Sequence, residues 1–255
     1  MMINLSVVII TYNEEKNIGR CIDSVKTIAD EIVIVDSFST DDTKKICLEK
    51  GAKFFEHKFD GYIEQKNYAL TLASFPYILS LDADECLSVD LIKSIAEVKN
   101  DWQYDGYIMS RLSNCAGIWI HHGLWYPDKK LRLWDSRKGK WGGENPHDKF
   151  IMEKGATTKH IKGDILHYTV DSAETHIKQI DKFSDIASLE MYRKGKKAYM
   201  PYVALKFLFT FTKGYIIKLG FLDGRYGFFT NYQAARYVWL KYAKLKNRHK
   251  MSCCD

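Results

Sequence analysis

The chain has 255 residues, 46% of them apolar, which is enough for one substantial hydrophobic core. Its six cysteines form no CxxC pair and no His/Cys spacing suited to zinc, so a zinc-ribbon class is excluded and reduced thiols in the cytoplasm are expected. No signal peptide is expected, because the first apolar run lacks a basic leader and a cleavage site.

The net charge of +6 is distributed unevenly along the chain. Residues 1–192 carry 24 Lys and Arg against 30 Asp and Glu, whereas residues 193–255 carry 14 against 2. The two parts are therefore expected to meet different surroundings, with a boundary near residue 193.

Strands and helices are predicted to alternate through the first hundred residues. Largely apolar runs with β-branched residues predict strands at residues 5–10, 31–35 and 77–81, and a short segment at 52–55 is expected to form another. Helical spacing predicts helices at residues 16–27, 39–50 (from a Ser39–Asp42 capping box), 62–73 and 88–99. Residues 102–170 are expected to be irregular, followed by a helix over 171–193. The pattern predicts an α/β fold with a mainly parallel sheet.

Polar residues follow three of these strands, at Thr11–Glu14, Asp36–Ser39 and Asp82–Glu85. Ligands bind at the carboxyl ends of strands in such sheets, so the three loops predict one site. The Asp-x-Asp at positions 82–84 favours a hard divalent cation, Mg²⁺ or Mn²⁺, which can also hold a diphosphate. A helix cap or a solvated turn is the structural alternative for each residue taken singly.

In order and spacing these motifs resemble the inverting glycosyltransferases of family 2, which have a GT-A fold. The matching segments are Thr11-Tyr-Asn-Glu14, Val35-Asp-Ser-Phe-Ser-Thr-Asp-Asp42, Gln65-Lys-Asn-Tyr-Ala69 and Leu81-Asp-Ala-Asp-Glu85. Within the family the chain looks most like the bacterial lipopolysaccharide core β-glucosyltransferases, through Arg132-Leu-Trp134, Pro146-His-Asp148, His167-Tyr168 and Gly220-Phe-Leu-Asp-Gly224. The resemblance implies a catalytic domain over 1–192, with a nucleotide-sugar half to about residue 100 and an acceptor half beyond it.

The resemblance also implies roles for individual residues. It implies that the donor nucleotide, a UDP-sugar, lies beside Thr11, Tyr12, Asn13, Glu14, Asp36, Ser39, Lys66, Asp82 and Ala83. Asp36 would accept a hydrogen bond from the uracil imide, and Asp84 would coordinate the metal. His167 is a second candidate ligand, because neutral imidazole suits Mn²⁺, although a structural histidine is equally consistent with its position. The adjacent His121 and His122 show no third ligand and are discounted as a metal site.

Inverting transfer needs a carboxylate that removes the proton of the acceptor hydroxyl. Asp148 is the first candidate, since the subgroup typically has His-Glu where His147-Asp148 stands. Glu144 is the second, because Gly-Gly-Glu-Asn resembles an acceptor loop of related enzymes.

Residues 193–255 are basic, and residues 201–222 are also strongly apolar with interspersed lysines. This combination predicts a helical extension that lies on an anionic membrane surface, while packing on the catalytic domain is the alternative. No nucleic-acid-binding motif accompanies the charge.

The sequence as a whole therefore predicts a glycosyltransferase at the inner face of the cytoplasmic membrane. It would move a hexose, most simply glucose from UDP-glucose, onto a glycolipid or oligosaccharide acceptor. Two rivals stay open: a polyprenyl-phosphate glycosyltransferase, in which the acceptor phosphate attacks, and a non-catalytic nucleotide-binding protein.

Overall fold

The computed structural model describes residues 2–144, 147–170 and 172–251, and at residues 144 and 147 it describes the backbone only. Its strands are β1 (Leu5–Thr11), β2 (Glu31–Asp36), β3 (Lys53–Glu56), β4 (Tyr77–Asp82), β5 (Glu85–Leu87), β6 (Gly106–Cys115), β7 (Ile118–Trp119), β8 (Asp128–Asp135), β9 (Gly139–Glu144), β10 (His147–Met152) and β11 (Thr158–Val170). Its α-helices are α1 (Ile18–Val25), α2 (Thr43–Glu49), α3 (Tyr62–Leu72), α4 (Val89–Asn100), α5 (Ala173–Arg193), α6 (Met200–Thr212) and α7 (Gly224–Met251).

The main sheet has the strand order β3-β2-β1-β4-β8-β6-β11-β5, with β7 paired to β6. Strands β3, β2, β1 and β4 are parallel, while β8, β6 and β5 join through antiparallel pairs. The parallel register brings Thr11 beside Asp36 and Ile10 beside Asp82. The carboxyl ends of β1, β2 and β4 therefore lie next to one another.

Side chains alternate between the two faces of the parallel strands, so each face has its own core. On one face Leu5, Val7 and Ile9 pack with the buried side of α1 and α4. On the other face Val8 packs with α3, with Trp134 of β8, and with Trp141 and Phe150 of the β9–β10 hairpin. The apolar, β-branched composition of β1, β2 and β4 follows from this burial on both faces.

By its internal contacts the described chain divides into two compact units. The first comprises residues up to Arg111 together with Asp128–Tyr168, and the second comprises Leu112–Pro127 and the residues from Thr169 onward. This division does not coincide with the functional boundary predicted at residue 192, and the roles assigned to residues 1–192 and 193–255 stay predictions.

The second unit is helical, with α5 and α6 both packed on α7. Asn231 of α7 is a buried packing centre: Leu124 N donates to its Oδ1 at 3.1 Å, and its Nδ2 donates to Gly227 O at 2.7 Å. A Cβ at Gly214 would collide with Asn231 Oδ1, so a larger residue there would have to displace the buried Asn231 side chain. Among the described helices none is both long and apolar enough to cross a bilayer.

The predicted fold class is confirmed: a mixed α/β fold with a mainly parallel sheet, flanking helices and a helical C-terminal extension. The irregular assignment of residues 102–170 is wrong, because strands β6 to β11 lie there. Polar residues interrupt these strands, as in the Asp128-Lys-Lys-Leu-Arg132 segment of β8, and so hide the apolar alternation. The Ser39–Asp42 capping box is also wrong, since α2 begins after Asp42 and the side chain of this N-cap residue makes no capping hydrogen bond.

Candidate active site

A cavity of about 590 Å³ opens in the first unit at the carboxyl ends of β1, β2 and β4. It brings together seven of the predicted site residues: Thr11, Tyr12, Glu14, Asp82, Ala83, Asp84 and His167. The other lining residues are Ile10, Ser37, Phe59 and Tyr62. We call it the acidic cavity, because carboxylates and no Lys or Arg are found among these lining residues.

The loops after β1 and β2 are joined through Asn13. Its Oδ1 accepts a hydrogen bond from Thr40 N at 2.8 Å, and its own N–H donates to Ser39 Oγ at 2.7 Å. Asn13 has a φ of +52°, a left-handed conformation that asparagine tolerates better than most residues. Asn13 and Ser39 therefore shape the rim of the site but do not line the acidic cavity.

Asp36 is buried at the end of β2, and its carboxylate is engaged locally. Ser39 N donates to Asp36 Oδ2 at 2.6 Å, and the Ser39 hydroxyl donates to Asp36 Oδ1. The turn that follows β2 is thus closed by Asp36 itself, and Ser37 is the residue of this turn that lines the cavity.

Thr11 and Glu14 both line the acidic cavity, but their side chains differ in their hydrogen-bond partners. Thr11 is buried, and its Oγ1 has no hydrogen-bond partner among the described residues. Glu14 Oε2 accepts from Asn17 Nδ2 at 2.8 Å, and Glu14 N donates to Thr43 Oγ1 at 2.8 Å. A buried hydroxyl without a partner is costly, so Thr11 Oγ1 is suited to a polar ligand atom.

Asp84 and His167 are brought together by strand pairing. In the β5–β11 ladder His167 lies opposite Glu85, and Tyr168 N donates to Asp84 O at 2.9 Å. The His167 Nε2 and Asp84 Oδ2 atoms are then 3.1 Å apart. Asp84 thus offers an oxygen ligand and His167 a nitrogen ligand at the same place in the cavity. This pair fits a divalent ion that takes its other ligands from substrate and water.

No group of three or more His, Cys, Asp or Glu side chains in the described part of the chain forms a complete metal site. Asp82, the first acid of the Asp-x-Asp motif, does not join Asp84 and His167, because it is paired with two cations. Arg132 Nη2 lies 2.7 Å from Asp82 Oδ2, and Lys66 Nζ lies 3.0 Å from Asp82 Oδ1. Asp82 is therefore neutralised by protein cations rather than grouped with Asp84 and His167.

A buried charge cluster surrounds Asp82. Arg132 also reaches Glu85 Oε1 at 3.1 Å, and Arg111 reaches the same oxygen at 3.1 Å. Burial acts to raise the pKa of Asp82, but the Arg132 and Lys66 charges outweigh it and lower that pKa well below its ordinary range. Burial acts to lower the pKa of Arg132, while Asp82 and Glu85 raise it above its ordinary value.

A second cavity, of about 530 Å³, adjoins the first and shares Tyr62 and Asp82 with it. Its lining is rich in cations and consists of Tyr62, Lys66, Asp82, Arg111, Lys129, Lys130, Leu131, Arg132, Trp141, Asp148, Lys149 and Phe150. We call it the basic cavity. It contains Asp148, whose Oδ2 accepts a hydrogen bond from Lys66 Nζ at 2.8 Å.

Lys66 thus bridges Asp82 and Asp148 and lines the basic cavity rather than the acidic one. The side chain of Glu144, the second candidate for the base, lies outside the described residues.

Sequence reasoning did not assign several of the lining residues. Arg132 lies in a segment that carries the family resemblance but has no predicted role, and the sequence pattern predicts no role for Arg111, Tyr62 or Phe59. The run of charged residues at Asp128-Lys-Lys-Leu-Arg132 was the available signal, because so many charges in a strand need partners or a ligand.

Known proteins resemble this chain over nearly its whole length. The model of the family described as "Glycosyl transferase family 2" matches residues 6–156. An uncharacterised glycosyltransferase of Rickettsia typhi is 30% identical over 96% of this chain and 87% of its own length. The lipopolysaccharide core biosynthesis glycosyltransferase LpsC of Rhizobium meliloti is 29% identical over 97% of this chain and 93% of its own. The crystal structure of S. aureus TarS aligns with a TM-score of 0.44 at 18% identity, over 71% of this chain and 39% of that one.

The chain is therefore a glycosyltransferase and belongs to glycosyltransferase family 2. The resemblance inferred from its motifs is confirmed, and with it the assignment of the chain as an enzyme rather than a non-catalytic binding protein.

Proposed function

We propose that this glycosyltransferase is a metal-dependent, inverting enzyme that moves glucose from UDP-glucose onto a lipopolysaccharide-core or other surface-glycan acceptor. The observation that carries the proposal is the contact between the two cavities, which share Asp82 and Tyr62. One cavity offers a ligand pair for a metal-bound diphosphate, and the other holds a carboxylate suited to be a base. The name of the Rhizobium meliloti relative supports the acceptor class.

The charge of the acidic cavity supports a metal-bound nucleotide diphosphate. Asp82 is neutralised by Lys66 and Arg132, but Glu14 and Asp84 would repel a diphosphate unless a further cation intervened. Asp84 and His167 would hold Mg²⁺ or Mn²⁺, with phosphate oxygens and water as the other ligands. Once bound, the ion would offset the charge that develops on the departing UDP.

The nucleoside would lie along the loops after β1 and β2. Thr11 Oγ1 supports this placement, because it is buried beside the cavity without a protein partner. Asp36 is the proposed uracil contact. Its Oδ2 accepts a hydrogen bond from Ser39 N and has a second lone pair that could accept another from the uracil imide. Tyr12 and Ala83 would contribute the remaining walls.

Asp148 is the proposed general base. Its hydrogen bond to Lys66 fixes the orientation of the carboxylate, and a base must be held within reach of the proton that it removes. Asp148 lies in a cavity that adjoins the donor site, as a single in-line displacement requires. Glu144 is kept as the alternative base.

The test is glucose transfer from labelled UDP-glucose to a lipopolysaccharide preparation with a truncated core. Asp148→Asn is expected to lower the transfer rate about 10²- to 10⁴-fold, the usual contribution of a general base, while UDP binding persists. Glu144→Gln is the matched control. Loss of transfer in Glu144→Gln, with Asp148→Asn near wild type, would move the base to Glu144, and absence of turnover by the wild type would remove the proposal.

A second candidate function is favoured by the cations of the basic cavity. They would suit a polyprenyl phosphate, whose own phosphate attacks the sugar and needs no protein base. A double variant, Asp148→Asn with Glu144→Gln, separates the two functions. Retained transfer to polyprenyl phosphate in this variant would establish the second candidate, and loss of all transfer would exclude it.

Peripheral attachment to an anionic bilayer is the proposed role of the C-terminal helices, at the inner face of the cytoplasmic membrane. Large apolar side chains between residues 199 and 222 remain exposed, among them Leu205 at 65%, Phe209 at 64% and Ile217 at 67%. Helix α6 buries fully only Val203. Such a surface, with lysines among the apolar residues, suits an interfacial helix.

Some basic residues of the second unit are already paired with carboxylates of the same unit. Arg236, Lys244 and Arg248 of α7 lie 3.2–3.4 Å from Asp181 or Asp185 of α5. The membrane-facing charge is therefore assigned to the lysines next to the apolar segment, Lys206, Lys213 and Lys218.

Sedimentation with vesicles tests the attachment. The wild type is expected to sediment with phosphatidylglycerol-containing vesicles more than with pure phosphatidylcholine vesicles. The triple variant Leu205→Ser, Leu208→Ser, Phe209→Ser should lose binding, because the inserted apolar area is removed. The control Leu48→Ser, Val89→Ser changes exposed apolar residues of the first unit. Equal binding by the triple variant would contradict the proposal.

A further inference from the structure

We propose that the basic cavity recognises an oxyanion, a phosphate or carboxylate group, on the acceptor sugar. The inference rests on the proposed function, because it assigns the basic cavity to the acceptor. It goes further in naming the chemical class of acceptor that the enzyme selects, and in naming the residues, other than the base, that select it.

The charge balance of the basic cavity favours an anion. Six cationic side chains line it: Lys66, Arg111, Lys129, Lys130, Arg132 and Lys149. Two carboxylates, Asp82 and Asp148, line it as well. Even when the neighbouring Glu85 and Asp128 are added, because they pair with Arg111 and Arg132, six cations face four carboxylates.

The cations of this cavity fall into two groups. Lys66, Arg111 and Arg132 are held by carboxylates and form its walls, and Lys130 lies 3.2 Å from Asp128. Lys129 and Lys149 are exposed, and neither forms an ion pair with a described carboxylate. The excess positive charge is therefore concentrated on Lys129 and Lys149.

Two buried donors belong to the same lining. Arg132 Nη1 and Trp141 Nε1 have no acceptor among the described residues, and both side chains are 4% exposed. Phosphate and carboxylate oxygens are strong acceptors for such N–H groups. Lys66 Nζ also lies 4.6 Å from the centre of the Trp141 ring, so the indole is held in place at this wall.

Shape and position separate this cavity from an ordinary solvated basic surface. The six cations surround a cavity of about 530 Å³, a volume within the usual range for a bound small molecule. The cavity also contains the proposed base and adjoins the acidic cavity. An anion seated there would present its sugar hydroxyls near Asp148 and away from the carboxylates of the donor side.

The test is calorimetric titration in EDTA, so that a metal-dependent donor site does not capture the probe. Glucose 6-phosphate and glucuronate are the anionic probes, and glucose is the neutral control. Both anions are expected to bind the wild type more tightly than glucose. The double variant Lys129→Glu, Lys149→Glu should weaken binding of the anions at least about tenfold, since it reverses two charges at the site.

Lys93→Glu, an exposed position on α4 that lines neither cavity, is the matched control and should change the affinity by less than about twofold. If glucose 6-phosphate binds more tightly than glucuronate and loses more affinity in the double variant, the oxyanion is a phosphate. The opposite order identifies it as a carboxylate. Anion binding no tighter than glucose binding, or unchanged in the double variant, overturns the inference.

A parallel titration with UDP and Mn²⁺ keeps the two proposals distinguishable. The double variant is expected to bind UDP as the wild type does, which also verifies its fold. Wild-type protein that binds UDP with Mn²⁺ but does not prefer anionic sugars overturns the oxyanion site alone. Failure of the wild type to bind UDP overturns the proposed donor function, whatever the sugar titrations give.

Discussion

The two cavities of the first unit adjoin each other yet have opposite charge. The acidic cavity is lined by Glu14, Asp82 and Asp84, with no Lys or Arg among its described lining residues, while the basic cavity is lined by six cations. Asp82 belongs to both, and its ion pairs with Lys66 and Arg132 lie where the two meet. The difference teaches that one edge of a sheet can carry two adjoining cavities of opposite charge, because a buried charge cluster lies where they meet.

The largest expected effect is loss of activity when the acidic cavity loses Asp84, one of the two proposed metal ligands. Asp84→Asn is expected to lower turnover of UDP-glucose by about 10³-fold or more, because the leaving diphosphate would lack its counter-charge. Steady-state UDP release is the measurement. Asp90→Asn, an exposed position on α4, is the control, and an Asp84→Asn enzyme within tenfold of the wild type would break the contrast between the cavities.

The next effect concerns the cluster between the cavities. Arg132→Leu leaves the buried Glu85 and the shared Asp82 without their common partner, and should destabilise the protein by about 3–5 kcal/mol. The unfolding midpoint in urea or on heating measures it. Lys44→Leu, which breaks an exposed pair with Glu56, should cost about 1 kcal/mol or less. Similar losses in both variants would mean that the cluster is not a special feature of the fold.

A smaller effect is the pH dependence of the same cluster. The pKa of Asp82 is lowered in the folded protein, so its stabilisation is present above the pKa of an unfolded aspartate, about 4, and is lost as the pH falls through the lower folded value. The difference in unfolding free energy between the wild type and Asp82→Asn should be largest near pH 6 and narrow towards pH 2. A difference for Asp82→Asn that stays constant across this pH range would contradict the assignment.

The smallest expected effect sharpens the donor side. Thr11→Val removes a buried hydroxyl that has no described partner, so thermal stability should not fall. Affinity for UDP with Mn²⁺ should fall about two- to tenfold, the value of one hydrogen bond to the ligand. Thr71→Val is the control, because its hydroxyl donates within α3 to Tyr68 O. Reduced stability with unchanged affinity would indicate a structural role for Thr11.

The acidic cavity could largely be anticipated from the sequence, and the basic cavity could not. The polar residues after β1, β2 and β4 follow largely apolar runs, so both the strands and the edge they share are visible locally. The basic cavity is built from Arg111 of β6, Arg132 of β8 and Lys149 of β10, strands whose polar residues hide them.

Long-range pairing explains the remainder. Lys66 and Asp148 are 82 residues apart, and only the packing of α3 against the β9–β10 hairpin brings them to 2.8 Å. The pairing of His167 with Asp84 likewise depends on the β5–β11 register. Residue types at these positions suggested chemistry, but their partners are fixed by strand order, which the local pattern does not contain.

The most direct test of the account is thermal unfolding of the wild type and of Asp84→Asn with UDP, each with Mn²⁺ or with EDTA. A ligand that binds only the folded state raises Tm according to its affinity. The account predicts that UDP with Mn²⁺ raises the Tm of the wild type, and that the shift disappears in EDTA and in Asp84→Asn. An equal shift in EDTA or in Asp84→Asn would contradict the assignment of the acidic cavity to a metal-bound diphosphate.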